Sequence, residues 1–279
     1  MTKVILLGSG NPNPDPIHSD PSIIILVHDT PYVIDFGTGL IRRAANLSTE
    51  FGGTIEAMNV KNLKIAFLTH LHSDHTLGYA DLILTPWIME RDVPLEVYGP
   101  EGITEMTEYL LKAYKEDIRY RIYGSEPINT SGWKVITHEI KEGQIYKDSN
   151  ITVDAFLVQH GTLPNAFGFK FTTPNKTIVI SGDTAPCENI LKYGKNADIL
   201  IHEVYYKKGY DEKEEKWKKY HIAHHTSTLE LAEIANKTKP KLLILYHTLF
   251  WGGTNKKIIQ EITDHYKGKV VLASDLDIY

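Results

Sequence analysis

An α/β sandwich of αββα type, two mixed β-sheets with helices on the outer faces, is the fold this sequence predicts, and three observations predict it. The first half opens with apolar strand-like runs and then alternates strands with helical segments, and the second half repeats that plan. No linker, low-complexity tract or short-period repeat divides the 279 residues, so one domain spanning 1–279 is expected. Several runs are also apolar almost throughout, as strands buried on both faces are; ADILIHEVYY (197–206) is one.

The elements follow in chain order. KVILLG (3–8), SIIILVHD (22–29) and PYVIDFG (31–37) are rich in β-branched residues and bounded by Gly, Pro or Asp, the signature of strands. KIAFLTH (64–70) is a fourth. HTLGYADLILTPW (75–87) reads as a helix that stops near Pro86, whose ring removes a backbone N–H. GITEMTEYLLKAYKEDI (102–118) has helical spacing and an acidic start, which suits the helix dipole. WKVITHEI (133–140) and ITVDAFLVQH (151–160) alternate as strands. AFGFKFTT (166–173) and KTIVISGD (176–183) make a hairpin around Pro174-Asn175. After the 197–206 strand come a helix, STLELAEIANKT (227–238), a strand, KPKLLILYHT (239–248), and a helix, NKKIIQEITDHYK (255–267). The mixed-charge run KKGYDEKEEKWKKY (207–220) reads as a solvated helix or loop, with a lid as the second reading.

The chain is 42% hydrophobic and 23% charged, which places it among globular domains rather than disordered or membrane-embedded chains. Lys plus Arg number 30 against 35 Asp plus Glu, a net charge of −5, so a broad basic face for nucleic acid is not expected. The single cysteine, Cys187, excludes an intrachain disulfide and fits a reducing compartment. The N-terminal apolar run is too short for a signal peptide, and no stretch reaches membrane-spanning length. A cytoplasmic protein with no membrane partner is expected.

Chemistry concentrates at strand ends. His70, His72, Asp74 and His75 crowd directly behind an apolar strand, although buried His and Asp each need polar partners. His160 ends another apolar run, Asp183 follows TIVIS, and His247 ends LLILYH. Four strands thus terminate in residues able to ligate a metal on rigid supports. Imidazole with carboxylate suits zinc, manganese or iron, whereas a structural zinc site would draw on more cysteine than this chain has. GSGNP lacks the third glycine of a dinucleotide fingerprint, and SGDT is no nucleophile elbow.

The series H-x-H-x-D-H followed by single His, Asp and His, together with VIDFGTG (33–39) as a D-x-G-x-G segment, resembles the metallo-β-lactamase superfamily over nearly the whole chain. The resemblance implies the metallo-β-lactamase fold and a dinuclear hydrolase. His70, His72 and His160 would bind one divalent ion, Asp74, His75 and His247 the other, and Asp183 would bridge them. Zinc is the first expectation, with manganese or iron as alternatives. Asp35 would support the ligand loop through hydrogen bonds. Solvent held between two such ions loses a proton near neutral pH and becomes the nucleophile.

IHEVYY and HIAHHTSTLELAEIA resemble the H-E-A-T and H-S-T segments of the ribonuclease Z branch. That places Glu203 and His225, with Asp74, in the catalytic set; His225 would protonate the leaving alkoxide, although the register also allows His224. The tRNA-gripping arm of ribonuclease Z lies between the residues matching His160 and Asp183, which here are only 23 apart. The stretch 158–190 looks more like arylsulfatase-type and phosphodiesterase-like hydrolases of the branch. The expected activity is therefore hydrolysis of phosphodiesters or aryl sulfate esters. Alternatives are a ribonuclease Z-type endonuclease processing tRNA 3′ ends, or a lactone, β-lactam or thioester hydrolase. A diiron redox protein is disfavoured because His72 stands where flavin-linked members carry glutamate, and a non-catalytic metal scaffold ranks last. Expected partners are a small-molecule ester substrate rather than nucleic acid, and a second copy in a homodimer. Trp87 and Phe250, close in sequence to the ligands, are candidates for an apolar substrate wall.

Overall fold

Short loops join antiparallel strands and longer crossovers join parallel ones; both occur in the same order in each of two compact units. The computed structural model describes all 279 residues. Unit 1 comprises Met1–Gly8, Pro14–Ile140 and Asp275–Tyr279, and unit 2 comprises Ser9–Asn13 and Lys141–Ser274.

Unit 1 contains β1 (Thr2–Gly8), β2 (Ser22–Val27), β3 (Thr30–Ile34), β4 (Ile65–Phe67), β5 (Leu95–Gly99) and β6 (Val135–Glu139) in sequential order. The first three pair antiparallel and the rest parallel. Helices α1 (Leu40–Leu47), α2 (Ser73–Thr76), α3 (Tyr79–Ile88), α4 (Ile103–Ala113) and α5 (Lys115–Tyr123) fill the crossovers. One sheet face, with Ile5, Ile24, Val33, Ala66 and Val97, packs against Leu40, Ile83, Trp87 and Ile103 of the helices.

Unit 2 contains β7 (Gly143–Lys147), β8 (Thr152–Leu157), β9 (Phe167–Thr172), β10 (Thr177–Ile180), β11 (Ile199–Tyr205), β12 (Leu242–Leu249) and β13 (Val270–Leu272). β7 to β10 are antiparallel neighbours and β10 to β13 parallel ones. Its helices are α6 (Glu188–Gly194), α7 (Lys207–Asp211), α8 (Glu215–His224), α9 (Thr228–Thr238) and α10 (Asn255–Thr263). Val179, Leu200, Leu243 and Leu245 of the sheet pack against Leu231, Ala235, Ile258 and Ile262.

The expected strands and the hairpin at Pro174-Asn175 are present. β5, β7, β13, α1 and α6 have no counterpart in the sequence pattern, being too short to show a clear period. The 102–118 helix is two, broken at Tyr114. The expected 75–87 helix is also two, α2 and α3, parted at Leu77-Gly78. There Gly78 N donates to Phe36 O at 2.7 Å, and a Cβ would stand 2.3 Å from the Gly37 carbonyl oxygen, so only glycine admits the approach.

Pro86 does not end α3, which continues to Ile88. The reason is Arg91, a fully buried side chain. Pro86 cannot donate to Leu82 O, and Arg91 Nη1 does so instead at 3.0 Å. Arg91 Nη2 donates to Ile83 O at 2.7 Å and to Gly132 O at 2.9 Å. Burial lowers the guanidinium to about 10, so it stays charged at neutral pH. Arg91→Ala strands several buried carbonyls and is expected to cost about 3 kcal/mol or more in a urea unfolding experiment. Arg91→Lys should recover less than half of that, because an ammonium cannot span the same carbonyls. A loss of only a few tenths would show that water replaces the guanidinium.

Candidate metal centre

Parallel strands β3 and β4 end at the same edge of their sheet, and the residues that follow them meet there. Asp35, immediately after β3, is left-handed (φ 60°), a conformation that costs a non-glycine residue about 1 kcal/mol and persists where a side chain must be aimed. Its Oδ1 accepts from Thr69 N at 2.8 Å, and its Oδ2 lies 2.8 Å from His75 Nδ1. That contact keeps the proton on Nδ1 and leaves Nε2 for an electrophile, the usual way a ligating histidine is oriented. Thr69 Oγ1 donates to Asp35 and lies 3.0 Å from His70 Nδ1, which passes the same constraint to His70. His70 Nε2 stands 3.1 Å from His72 Nδ1, and His75 Nε2 stands 3.4 Å from Asp74 Oδ2. Four donors of one loop are thus gathered at the edge of unit 1.

Asp35→Asn preserves the shape of this support but removes its charge. Metal affinity is expected to fall about 10- to 100-fold in competition with a chromophoric chelator, with circular dichroism unchanged. Equal affinity would reduce Asp35 to a loop filler.

The same logic operates in unit 2. β8 and β10 are both antiparallel to β9, so they run the same way, as do β10, β11 and β12. His160 and Asp183 therefore follow their strands at one edge, whereas His247, expected to end its strand, lies within β12, which continues to Leu249. His247 sits in a β-bulge, skipped by the register between β11 and β12, with φ 45°. A bulge re-aims one side chain without ending the strand, and here it brings His247 Nε2 to 3.3 Å from Asp183 Oδ2. His160 Nδ1 donates to His224 O at 2.8 Å, which fixes the tautomer of the ring.

Glu203, fully buried on β11, accepts from Thr226 N at 2.7 Å and lies 3.3 Å from His225 Nδ1. Burial and the nearby Asp183 push its carboxyl well above the ordinary range, while His247 and the backbone N–H groups of Thr226 and Thr184 oppose the rise. His225 is held by its surroundings: Tyr205 N donates to Thr226 O at 2.9 Å, and Ser227 with Glu230 forms a capping box on α9. His224 turns instead to Tyr220 O, 2.7 Å from its Nδ1. The histidine paired with Glu203 is thus His225. His202 is also fully buried, with Nδ1 2.6 Å from Glu203 O and burial lowering it to about 4, so it is neutral.

Donor atoms of His160, Asp183 and His225 lie within 4.8 Å of one another, as do those of Glu203, His225 and His247. Imidazole and carboxylate donors without thiolate suit a divalent ion; Cys187 belongs to none of these groups. Thr69 and Thr226, which steer the histidines, carry no motif signal because their roles depend on partners distant in sequence. Trp87 is not an exposed wall: it is fully buried under α3 with Nε1 donating to Asn129 O at 2.8 Å, since its ring lies on the helix face turned to the sheet. Phe250 is half-buried against the core of unit 2.

The β-lactamase superfamily domain matches residues 31–248 of the chain. The ribonuclease Z of Mycobacterium bovis (strain BCG / Pasteur 1173P2) is 28% identical over 281 residues, covering 99% of this chain and 97% of that protein. Among solved structures, the metallo-β-lactamase fold protein YhfI from Bacillus subtilis superposes with a TM-score of 0.75 at 18% identity, over 100% of this chain and 98% of the other. Human tRNase Z, short form, superposes with a TM-score of 0.71 at 20% identity, over 99% and 98%. The structural likeness establishes the metallo-β-lactamase fold.

Proposed function

The chain belongs to the β-lactamase superfamily, and from that premise we propose that this metallo-hydrolase is a phosphodiesterase of the ribonuclease Z type, cleaving RNA at the 3′ side of precursor transfer RNA. The observation that carries the reading is the buried Glu203–His225 pair. An imidazole backed by a carboxylate is a proton donor for an alkoxide, the leaving group of phosphodiester cleavage.

As the superfamily resemblance implies, His70, His72 and His160 would hold one ion, Asp74, His75 and His247 the other, and Asp183 would serve both. When bound, two ions would supply a nucleophile from solvent and neutralise charge on the attacked phosphate. The chain's own residues do the rest. Asp35 and Thr69 hold the histidines of the 70–75 loop in their tautomers, and His224 O does so for His160. Asp74 brings a second carboxylate beside His75 to accept a solvent proton. Glu203 keeps the His225 Nδ1 proton in place, so Nε2 faces the departing oxygen.

The sequence ranks small phosphodiesters and aryl sulfates first because the 160–183 interval has no room for an arm. A short 160–183 interval does not exclude RNA, as the mycobacterial ribonuclease Z indicates. It aligns along 97% of its own length over 281 residues, which leaves no long additional arm there either. Relatives of that name favour RNA over sulfate esters.

A turnover panel on metal-reconstituted protein tests the proposal, with a precursor tRNA set against bis-aryl phosphodiester, aryl sulfate and lactone substrates. Chelator-sensitive cleavage of the precursor at its 3′ side, with slower phosphodiester turnover, is the expected profile. Turnover confined to the sulfate or the lactone would overturn it.

A further inference from the structure

Helix α8 lacks the usual reason for a helix to persist, since none of its residues is buried although it carries Trp217, Tyr220 and Ile222. Trp217 is 49% and Tyr220 40% exposed. A helix in water ordinarily owes most of its stability to an apolar face packed on a core. Here the stripe at spacing i, i+3, i+4, i+7 is made of rings: Trp217, Tyr220, His221 and His224.

These rings are tiled. Trp217 and His221 stack at 6.1 Å between centroids, Tyr220 and His224 at 4.1 Å, and His221 meets Trp251 at 4.4 Å. The path continues into the candidate centre, with His224 at 5.1 Å from His160 and 6.4 Å from His225. An unbroken aromatic track therefore leads from an exposed tryptophan to the proposed proton donor. Lysines lie among the rings. α8 carries Lys216, Lys218 and Lys219, of which Lys216 pairs with Glu214 at 2.9 Å and Lys218 with Glu215 at 3.2 Å, and Lys213 Nζ lies 4.3 Å over the Trp251 ring, in a protein of net charge −5.

Exposed π-faces interleaved with cations, continuous with a phosphodiester-cleaving centre, are the features that bind single-stranded nucleic acid without base-specific hydrogen bonds. We propose that the α8 track stacks the unpaired bases of the RNA strand next to the scissile phosphate, supplying the hold that an arm between His160 and Asp183 would otherwise provide. The inference rests on the ribonuclease reading above. From Trp217 to His224 the helix rises about 10 Å, room for two or three bases stacked at about 3.4 Å each. Lys213 and Lys219 are placed to meet the phosphates between them.

The test is fluorescence anisotropy of the full-length, metal-loaded protein. The probes are a labelled single-stranded oligoribonucleotide of about a dozen nucleotides and the same sequence as a duplex. The Trp217→Ala/Tyr220→Ala double variant is expected to raise Kd for the single strand roughly five- to hundredfold, and to change duplex binding much less. Trp217→Phe, which keeps a π-face, should bind nearly as the native chain does, whereas Trp217→Leu, which keeps only apolar bulk, should not. Native protein that hydrolyses bis-aryl phosphodiesters but binds no RNA would overturn both this inference and the ribonuclease reading. Native protein that cleaves RNA, with variants binding the strand equally well, would overturn this inference alone. A double variant that splits a dimer in sedimentation, with RNA affinity unchanged, would also overturn it and give the face to a second copy.

Discussion

Asp183→Ala is expected to lower kcat/KM on a phosphodiester by on the order of a thousandfold or more, and to release bound metal. Asp183 is buried, lies three residues past the end of β10, and holds its Oδ2 3.3 Å from His247 Nε2. Because Asp183 is proposed as a donor to both ions, its loss would remove a negative charge from each. Asp183→Asn separates the two contributions. It keeps an oxygen donor in the same place but not the charge, so an intermediate loss is expected. Metal content per chain, measured alongside kinetics and circular dichroism, distinguishes an emptied site from an unfolded one. Full activity with full metal in the alanine variant would remove Asp183 from the ligand set.

His225→Ala should show a dependence on leaving group that no metal ligand would show. On RNA, whose leaving alkoxide is a strong base, a loss of about 10²–10⁴ in kcat is expected, with KM little changed. On a p-nitrophenyl phosphodiester, whose leaving oxygen departs without a proton, the same variant should lose about tenfold or less. Glu203→Gln keeps the bond to Thr226 but weakens the hold on the imidazole, and should fall between native and His225→Ala on RNA. The competing account is concrete, because the donor atoms of His225 also lie within 4.8 Å of those of His160 and Asp183. If His225 were a ligand, its removal would slow both substrates alike and lower metal content.

The features legible in the sequence share one property: each depends on neighbours a few residues away. Apolar runs and turn residues located most strands of both sheets, because side-chain alternation and turn chemistry act over a handful of residues. The placing of His70, His72, Asp74, His75, His160 and Asp183 behind strand ends was readable for the same reason, whereas His247 lies within β12. Parallel and same-sense strands then carried those ends to common edges within each unit. The short elements β5, β7, β13, α1 and α6 lie below the length at which periodicity speaks.

What escaped the sequence was decided by partners far along the chain. Pro86 reads as a helix stop, but Arg91, closing on carbonyls from Leu63, Leu82, Ile83 and Gly132, lets α3 run past it. Trp87 reads as a candidate pocket wall until packing puts it under α3. The choice between His224 and His225 turned on which imidazole a strand from elsewhere would meet, and Glu203 on β11 meets His225. The charged run 207–220 had no definite role until stacked rings aligned its end with His224 and His160. By itself, then, the sequence determined the imidazole and carboxylate donors near strand ends and most strands, both properties of local order, and its motifs carried the superfamily resemblance. Tertiary structure alone decided which nitrogen each histidine presents, which pairs share a proton and which aromatic faces reach solvent, because those depend on contacts between residues that only folding brings together.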